Sequence, residues 1–113
     1  MAASKYATTL EALEEQADLS FEDVARVVGS SSRSISRWAH GESDPRSRAR
    51  DRLLEMTAVV IELSNVLRPE AAHVWLYTPN AFLSFDRPIH LISEGEYRRV
   101  LPAIAALADG VFV

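Results

Sequence analysis

The stretch from Ser20 to His40 constrains the fold most, because its small and large residues follow the spacing of two short helices packed across one tight turn. Counted from Phe21, Ala25 is fifth, where only a small side chain lets a second helix cross the first closely. Gly29 is ninth, at the turn, and glycine is the usual residue to end a helix in a left-handed conformation. The stretch therefore predicts a helix-turn-helix.

The start and the inner face of this pair of helices are also marked in the sequence. Ser20, followed three residues later by Asp23, is close to a capping box, in which each residue bonds the backbone N–H of the other. Ile35 and Trp38 lie three residues apart, on one face of the second helix. We expect that face to pack against the valines of the first helix, which are Val24, Val27 and Val28.

The outer face of the second helix is polar and rich in hydrogen-bonding groups. Ser31 or Ser32 can cap its first turn, and a polar outer face is typical of a recognition helix in the DNA major groove. The residues predicted to contact DNA are Ser31, Ser32, Arg33, Ser36, Arg37 and His40, together with Arg46 and Arg48 of the following segment. The alternative is a surface helix hairpin that packs the core of some other all-helical protein.

Charge is distributed unevenly along the 113 residues, which have a formal net charge of −4. Residues 26–52 hold seven arginines against three acids and carry +4, whereas the rest of the chain carries −8. A basic segment in an acidic chain favours phosphate binding by that segment and a different partner for the remainder. A solvated, charged helix surface is the alternative interpretation of such a run.

The composition argues against several classes of protein. The chain has no cysteine, so it can form neither a disulfide nor a thiolate metal site, and we expect a reducing, cytoplasmic location. No apolar run is long enough for a signal peptide or a membrane span, so we expect no membrane partner. The three histidines are isolated from one another and form no metal-ligand pattern such as H-E-x-x-H, and the four glycines form no phosphate-binding loop. We therefore expect no enzyme, no cofactor and no metal.

No run is typical of a strand, so the predicted fold class is all-α. A first helix from about Tyr6 to Ala17 is expected to brace the helix-turn-helix. Gly41 ends the recognition helix, and Asp44 is expected to cap a long helix over residues 45–67 with Pro45 in its first turn. The second half of that helix carries an apolar seam formed by Leu53, Met56, Val60, Leu63 and Leu67. We interpret this helix as a bridge between two halves of the chain, with a dimer seam as the alternative.

Prolines divide the last third of the chain into short helices, at Pro69, Pro79, Pro88 and Pro102. The helix that follows Pro69 is expected to turn one of two pairs to one face, either Val74 with Tyr77 or Ala71 with Trp75. Thr78-Pro79 is expected to cap a very short helix that runs through Phe82 and Leu83, and Arg87-Pro88 to start another that Gly95 closes.

The last helix is expected to run to Ala108 or Asp109, and Pro102 must either bend that helix or begin it. Its expected inward residues are Tyr97, Val100, Leu101, Ile104, Leu107 and Ala108. After Gly110 the chain ends in Val111, Phe112 and Val113, which are all apolar. This tail either folds back on its own core or enters a pocket on a partner.

The C-terminal third resembles a known family. The segment W-L-Y-T-P-N-A-F-L-S-F-D-R-P-I-H-L-I-S-E-G, a last helix and D-G-V-F together are similar to the Xre/MbcA/ParS toxin-binding domain. The matching positions are Trp75, Leu76, Thr78, Pro79, Asn80, Leu83, Pro88, Leu91, Gly95, Val100 and Gly110. One departure is Phe85-Asp86, where many members carry glycine before the proline. The whole chain thus resembles the antitoxins of Xre–RES type II toxin–antitoxin systems.

The resemblance implies a function by binding and no chemistry of the chain's own. It implies an Xre-type helix-turn-helix domain over residues 1–52, a toxin-binding domain over residues 53–113, and a cognate RES-fold toxin that destroys NAD. The implied toxin-binding residues are Trp75, Pro79 and Asn80, together with the C-terminal end, Gly110, Val111, Phe112 and Val113, which would enter the toxin's cleft. Phe112 is the expected anchor, because a buried aromatic ring contributes strongly to binding.

The resemblance also implies a homodimer or a higher hetero-oligomer with toxin, and repression of its own operon through operator DNA. A stand-alone transcription regulator, with the second half serving as a dimerisation domain, is the alternative.

Overall fold

Seven α-helices and one short 3-10 turn account for residues 4–110, the part of the chain that this computed structural model describes. They are α1 (Ala7–Ala17), α2 (Phe21–Val28), α3 (Ser32–Ala39), α4 (Ser47–Ser64), α5 (Pro69–Tyr77), the 3-10 turn (Ala81–Leu83), α6 (Pro88–Ser93) and α7 (Tyr97–Ala108). No strand occurs within these residues, and the predicted all-α class is confirmed. None of the helices formed by residues 4–110 is long and apolar enough to cross a membrane.

Local signals in the sequence set the bounds of α2 and α3. The predicted capping box is present, since the Ser20 hydroxyl accepts the Asp23 N–H at 3.2 Å and the Asp23 carboxylate accepts the Ser20 N–H at 2.8 Å. Gly29 ends α2 with a φ of 74°, a conformation that a side chain would strain. Ser31 rather than Ser32 caps α3, because its hydroxyl accepts the Ser34 N–H at 3.1 Å.

One hydrophobic core runs through both halves of the chain. Ile35 and Trp38 of α3 are buried, as predicted, and belong to the same cluster as Leu53 of α4 and Ile104 of α7. Helix α4 lies at the centre, where it packs against α1, α2, α5, α6 and α7. The predicted division at residue 52 therefore falls inside a single core, and it stays a prediction about function.

Helix α4 is shorter than predicted at both ends. Asp44 does not cap it, and Pro45 lies before its first turn, because the extended residue Arg46 occupies the N-cap position without a side-chain cap. The Asp44 carboxylate instead lies 3.9 Å from the Lys5 ammonium. At the other end α4 stops at Ser64 rather than at residue 67, and the chain continues in a turn in which the N–H groups of Val66 and Leu67 both donate to the Leu63 carbonyl, at 3.0 and 2.9 Å.

Helix α5 buries neither of the two predicted pairs. It buries Ala72 and Leu76, which are also four residues apart, and leaves Val74 exposed. Helix α5 itself carries apolar residues on every face, so helical spacing alone could not identify the face that is buried. The 3-10 turn that follows is capped by Asn80, whose side-chain oxygen accepts the Phe82 N–H at 2.9 Å, and not by Thr78-Pro79.

The last helix contains Pro102 in its interior, so it does not begin there. Of the residues expected inward, Val100 and Ile104 are buried, whereas Ala108 is exposed. The side chain of Pro102 faces solvent. Helices α6 and α7 are joined by a turn in which Gly95 has a φ of 81°.

Candidate functional site

The outer face of α3 presents two arginines to solvent. Arg33 and Arg37 are exposed, and among residues 4–110 no carboxylate lies within 4.0 Å of either guanidinium group. Ser32 and Ser36 beside them are half-buried. We call Ser32, Arg33, Ser36 and Arg37 the recognition face.

His40 closes the C-terminal end of α3. Its Nδ1 atom lies 2.7 Å from the backbone carbonyl oxygen of Ser36, which holds the ring against its own helix. The ring remains exposed. Ser31 also has a local role, since its hydroxyl both caps α3 and donates to the Ser34 hydroxyl at 3.1 Å. Both residues therefore shape the ends of α3 in addition to their predicted contact with DNA.

A basic groove lies beside the start of α3. It has a volume of about 650 Å³ and is lined by Arg26 of α2, by Ser30 and Ser34 near the start of α3, and by arginines at the start of α4, which are Arg46, Arg48 and Arg52. The structure thus brings the predicted residues Arg46 and Arg48 into one groove with the beginning of α3. Asp44 is the acid in its lining. An excess of guanidinium groups makes this groove suited to an anion.

Arg52 links this groove to the C-terminal half. Its guanidinium group lies 3.1 Å from the Glu55 carboxylate and packs against Gly95. A Cβ atom added to Gly95 would lie 2.5 Å from Nη2 of Arg52, so the arginine side chain would have to move, and the φ of 81° would strain any side chain at this position.

A hydrogen bond joins the capping box of α2 to α5. The Tyr77 hydroxyl donates to Oδ1 of Asp23 at 2.5 Å, and the Arg26 guanidinium lies 3.8 Å from the same oxygen. Burial opposes ionisation of Asp23, but the hydrogen bonds from Tyr77 and Ser20 outweigh it, so the pKa of Asp23 lies below its ordinary value. Burial, together with the bond to this carboxylate, raises the pKa of Tyr77 to about 12.

The three residues of the predicted toxin surface lie in different environments. Trp75 is partly buried, and its indole N–H is buried without a hydrogen-bond partner in the described part of the chain. Pro79 is exposed. Asn80 is only 3% exposed and its side chain is used within the loop, so any contribution of Asn80 to binding goes through the shape of that loop.

Three large apolar side chains near this surface were not among the predicted site residues. Val74, Phe82 and Phe85 are 63%, 52% and 72% exposed. The sequence does carry a signal for the two phenylalanines, because they lie three residues apart in a segment bracketed by Pro79 and Pro88. A segment that short cannot bury both rings within itself.

The C-terminal end of the predicted toxin surface is described only as far as Gly110. That residue has a φ of 81°, and its N–H donates to the Leu107 carbonyl at 3.1 Å, so it ends α7 as predicted. Val111, Phe112 and Val113 lie outside the described residues. A groove of about 610 Å³ between α4 and α7 is lined by Ala105 and Ala108, close to this end.

Residues 4–110 contain no group of three or more histidine, aspartate or glutamate side chains that could hold a metal ion. Two exposed surfaces are candidate binding sites: a cationic one around α3 and the start of α4, and an apolar one around the loop between α5 and α6.

The chain is similar to known antitoxins over its full length. It is 38% identical over 113 residues to the mycobacterial cidal antitoxin MbcA of Mycobacterium tuberculosis and of Mycobacterium bovis, and the match covers 100% of both proteins. It is 34% identical over 91 residues to the probable mycobacterial cidal antitoxin Rv3188 of M. tuberculosis, covering 80% of this chain and 77% of that protein. No family model matches the chain.

A solved structure has the same fold. In the crystal structure of the M. tuberculosis MbcT–MbcA toxin–antitoxin complex, one chain superposes with a TM-score of 0.84 at 38% identity, covering 96% of this chain and 98% of that one.

Proposed function

The chain belongs to the family of the mycobacterial cidal antitoxin MbcA, and from this premise we propose that it binds and neutralises a cognate toxin protein. The observation that carries the proposal is that the similarity spans the whole chain and extends to a structure solved as a toxin–antitoxin complex. The exposed apolar side chains around the loop between α5 and α6 support it, since patches of this kind mark sites of protein association.

The proposed mechanism is obstruction of the toxin and requires no chemistry from this chain. The cognate toxin has the RES fold and degrades NAD, and the C-terminal end of this chain, Gly110 to Val113, occludes its active-site cleft. Phe112 is the anchor in that cleft, because an aromatic ring buries a large area at a low cost in side-chain entropy. Trp75, Pro79 and the loop held by Asn80 provide the remaining contact surface.

Co-expression with the toxin encoded beside its gene tests this function directly. We expect the full chain to rescue growth and to elute with the toxin as one complex. If neither rescue nor a complex is observed, the chain is not the antitoxin of that toxin, and a stand-alone transcription regulator becomes the better interpretation.

A chain that ends at Gly110 separates the two alternatives for the tail. If the tail plugs the toxin's cleft, truncation abolishes rescue and leaves the melting temperature nearly unchanged. If the tail packs on its own core, truncation lowers stability by roughly 1.5–3 kcal/mol for each large side chain lost. Full rescue by the truncated chain at matched expression would remove the cleft-plug mechanism and leave the antitoxin function standing.

We propose operator binding, and thereby repression of its own operon, as a second function. The specific support is the recognition face of α3, where Arg33 and Arg37 have no carboxylate within 4.0 Å in the described part of the chain, together with the arginine-lined groove beside it. The recognition face can read bases, while Arg46 and Arg48 in the groove can neutralise phosphates.

Gel shifts on the upstream DNA test this second function. Combined Arg33→Ala and Arg37→Ala substitutions should cost about 1–3 kcal/mol per lost contact and leave toxin rescue intact. Replacement of Arg46 and Arg48 should instead weaken binding to all sequences alike and flatten its salt dependence. Absence of any shift by the unaltered chain, alone or with toxin, would exclude operator binding.

The assembly proposed for these functions is a homodimer or a higher hetero-oligomer with toxin. Light scattering on the chain alone and on the toxin complex gives the stoichiometry.

A further inference from the structure

Two phenylalanines are displayed on the short loop that joins α5 to α6. Phe82 is 52% exposed and Phe85 is 72% exposed, the highest value among the exposed large apolar side chains of residues 4–110. They are separated by Leu83, which is buried and anchors the loop to the core beside α7. We call residues 80–86 the aromatic loop. The loop is therefore firmly attached to the fold, although both of its aromatic rings face solvent.

Asn80 fixes the backbone of the aromatic loop through four hydrogen bonds. Its side-chain oxygen accepts the Phe82 N–H at 2.9 Å, and its carbonyl oxygen accepts the N–H groups of Leu83 at 2.9 Å and Phe85 at 2.8 Å. Its own N–H donates to the Asp86 carbonyl at 3.1 Å, and Asp86 in turn donates to Leu83 at 3.0 Å. A buried residue thus closes the loop on itself, and the backbone that carries the two rings is ordered before any partner binds.

The loop keeps this shape at a cost in backbone free energy. Ser84 and Phe85 have φ values of 54° and 66°, so two consecutive residues other than glycine adopt the left-handed conformation. A bulky side chain is strongly disfavoured there, and strain of this kind is concentrated at functional sites. Glycine at either position would relieve the strain, but glycine at position 85 would remove the most exposed ring.

The chemistry of this surface selects a protein as its partner. Residues 53–113 contain seven acids and four arginines, so this half of the chain is suited neither to nucleic acid nor to an anionic membrane. Aromatic rings carried on a backbone that is ordered in advance enter an apolar pocket with a smaller loss of entropy than rings on a mobile loop. The predicted toxin contacts Trp75 and Pro79 lie immediately before the loop, so the aromatic loop extends that surface.

We propose that Phe82 and Phe85 form a preorganised apolar anchor that inserts into a pocket on the surface of the cognate toxin, as a second attachment point independent of the C-terminal tail. This proposal rests on the proposed antitoxin function and deepens it. Asn80 acts as a positioning residue, because it touches the loop and not the partner. The left-handed backbone at Ser84 and Phe85 is the conformation in which the loop presents the two rings to solvent.

The first test compares the affinity of five purified chains for the cognate toxin by titration calorimetry: the unaltered chain, two double variants, the truncation at Gly110, and that truncation combined with the first double variant. The double variant Phe82→Ala with Phe85→Ala should bind about 30-fold more weakly, the loss expected when central aromatic anchors are removed. The matched control is Leu54→Ala with Ile61→Ala, because these α4 side chains are 55% and 52% exposed and lie outside the loop. The control should bind like the unaltered chain. The tail truncation at Gly110, combined with the double variant, should lose affinity beyond either change alone.

The second test uses the strain itself. Phe85→Gly should raise the melting temperature, since the backbone is relieved, and at the same time weaken toxin binding. Ser84→Gly should also raise the melting temperature while affinity falls far less, because both rings remain. A destabilised protein cannot produce this opposite movement of stability and affinity, so the result holds even if the double alanine variant folds poorly.

Three outcomes overturn the proposal, and they differ from one another. Unchanged affinity of both the double variant and Phe85→Gly removes the aromatic anchor, while toxin binding by the unaltered chain keeps the antitoxin function. A change from dimer to monomer in the double variant at unchanged toxin affinity assigns the loop to contacts between copies of this chain. Failure of the unaltered chain to bind the toxin removes the proposed function together with the anchor.

Discussion

At the scale of single residues, Asp23 joins the two halves of the molecule. One of its carboxylate oxygens completes the capping box with Ser20, and the other accepts the hydrogen bond from Tyr77 of α5. The same group therefore starts α2 and fixes the position of α5. The pKa of Asp23 is lowered because the hydrogen bonds to its ionised carboxylate outweigh burial, which opposes ionisation.

Tyr77→Phe should lower the free energy of unfolding by about 1.5–3 kcal/mol at pH 7, the range for a hydrogen bond to a charged group. Because the pKa of Asp23 is lowered in the folded state, its contribution is complete above its unfolded pKa of about 3.9 and is lost as the pH falls through the folded value. The difference between the unaltered chain and the variant should therefore shrink in acid. Urea unfolding at pH 7 and near pH 3 measures it, and a constant difference would contradict this account.

The same hydrogen bond has an effect at alkaline pH. The pKa of Tyr77 is raised to about 12 in the folded state, so the neutral phenol stabilises the fold fully below its unfolded pKa of about 10. This contribution is lost as the pH rises through about 12. The Phe variant has no phenol to ionise, and its unfolding should lack this alkaline loss of stability.

At the scale of elements, α7 is the helix with an evident defect. Pro102 lies in its interior, where it removes one backbone hydrogen bond and has its side chain in solvent. The helix persists because one of its faces is held in the core by Val100, Ala103 and Ile104. Tertiary packing therefore outweighs local preference in this element.

Pro102→Ala should raise the free energy of unfolding by roughly 1–3 kcal/mol, since alanine restores the helical hydrogen bond and no buried atom is lost. Ala105→Gly, at an exposed position of the same helix, should lower it by about 1 kcal/mol. Thermal unfolding followed by circular dichroism compares the two variants. A loss of stability in Pro102→Ala would mean that the proline holds a bend that the packing of α7 requires.

The elements that sequence reasoning placed correctly are those with signals in their own residues. Ser20 with Asp23, Gly29 and Ser31 mark the bounds of α2 and α3 through local hydrogen bonds and a local conformation, which no distant contact needs to decide. The buried face of α5 could not be predicted, because that helix carries apolar residues on every face. Packing against α1 and α4 decides which of these residues are buried. The start of α4 was missed, because Arg46 at its N-cap provides no side-chain signal.

The candidate site could be predicted in part for the same reason. The recognition face follows from helical spacing once Ile35 and Trp38 are placed inside. The exposure of Phe82 and Phe85 depends on how Asn80 and Leu83 attach their loop to the core, and spacing carries no information about that. Whether either surface binds its proposed partner stays a prediction.

At the scale of the whole molecule, the two halves have one core. The buried side chains of α3, α4 and α7 form a single cluster, and α2 packs directly on α6. A change in the core of one half should therefore be felt in the other. We expect the described part of the chain to unfold in a single transition.

Trp38→Ala tests this expectation and should lower the free energy of unfolding by about 3–5 kcal/mol, the cost of deleting a buried aromatic ring. In that variant Trp75 of α5 is the one remaining tryptophan, so its fluorescence reports on the C-terminal half. The fluorescence and circular dichroism transitions should coincide and shift together. A Trp75 transition that stays at its original midpoint would show that the halves unfold independently.

The shared core also sets how the molecule is lost from a cell. A protease that attacks a chain folded as one unit removes the recognition face and the aromatic loop in the same event, because neither half has a separate core on which to survive. Under the proposed functions, repression and toxin neutralisation would then have a single half-life. Release of the toxin and renewed transcription of its operon would begin together, and resynthesis would start at the moment when protection fails.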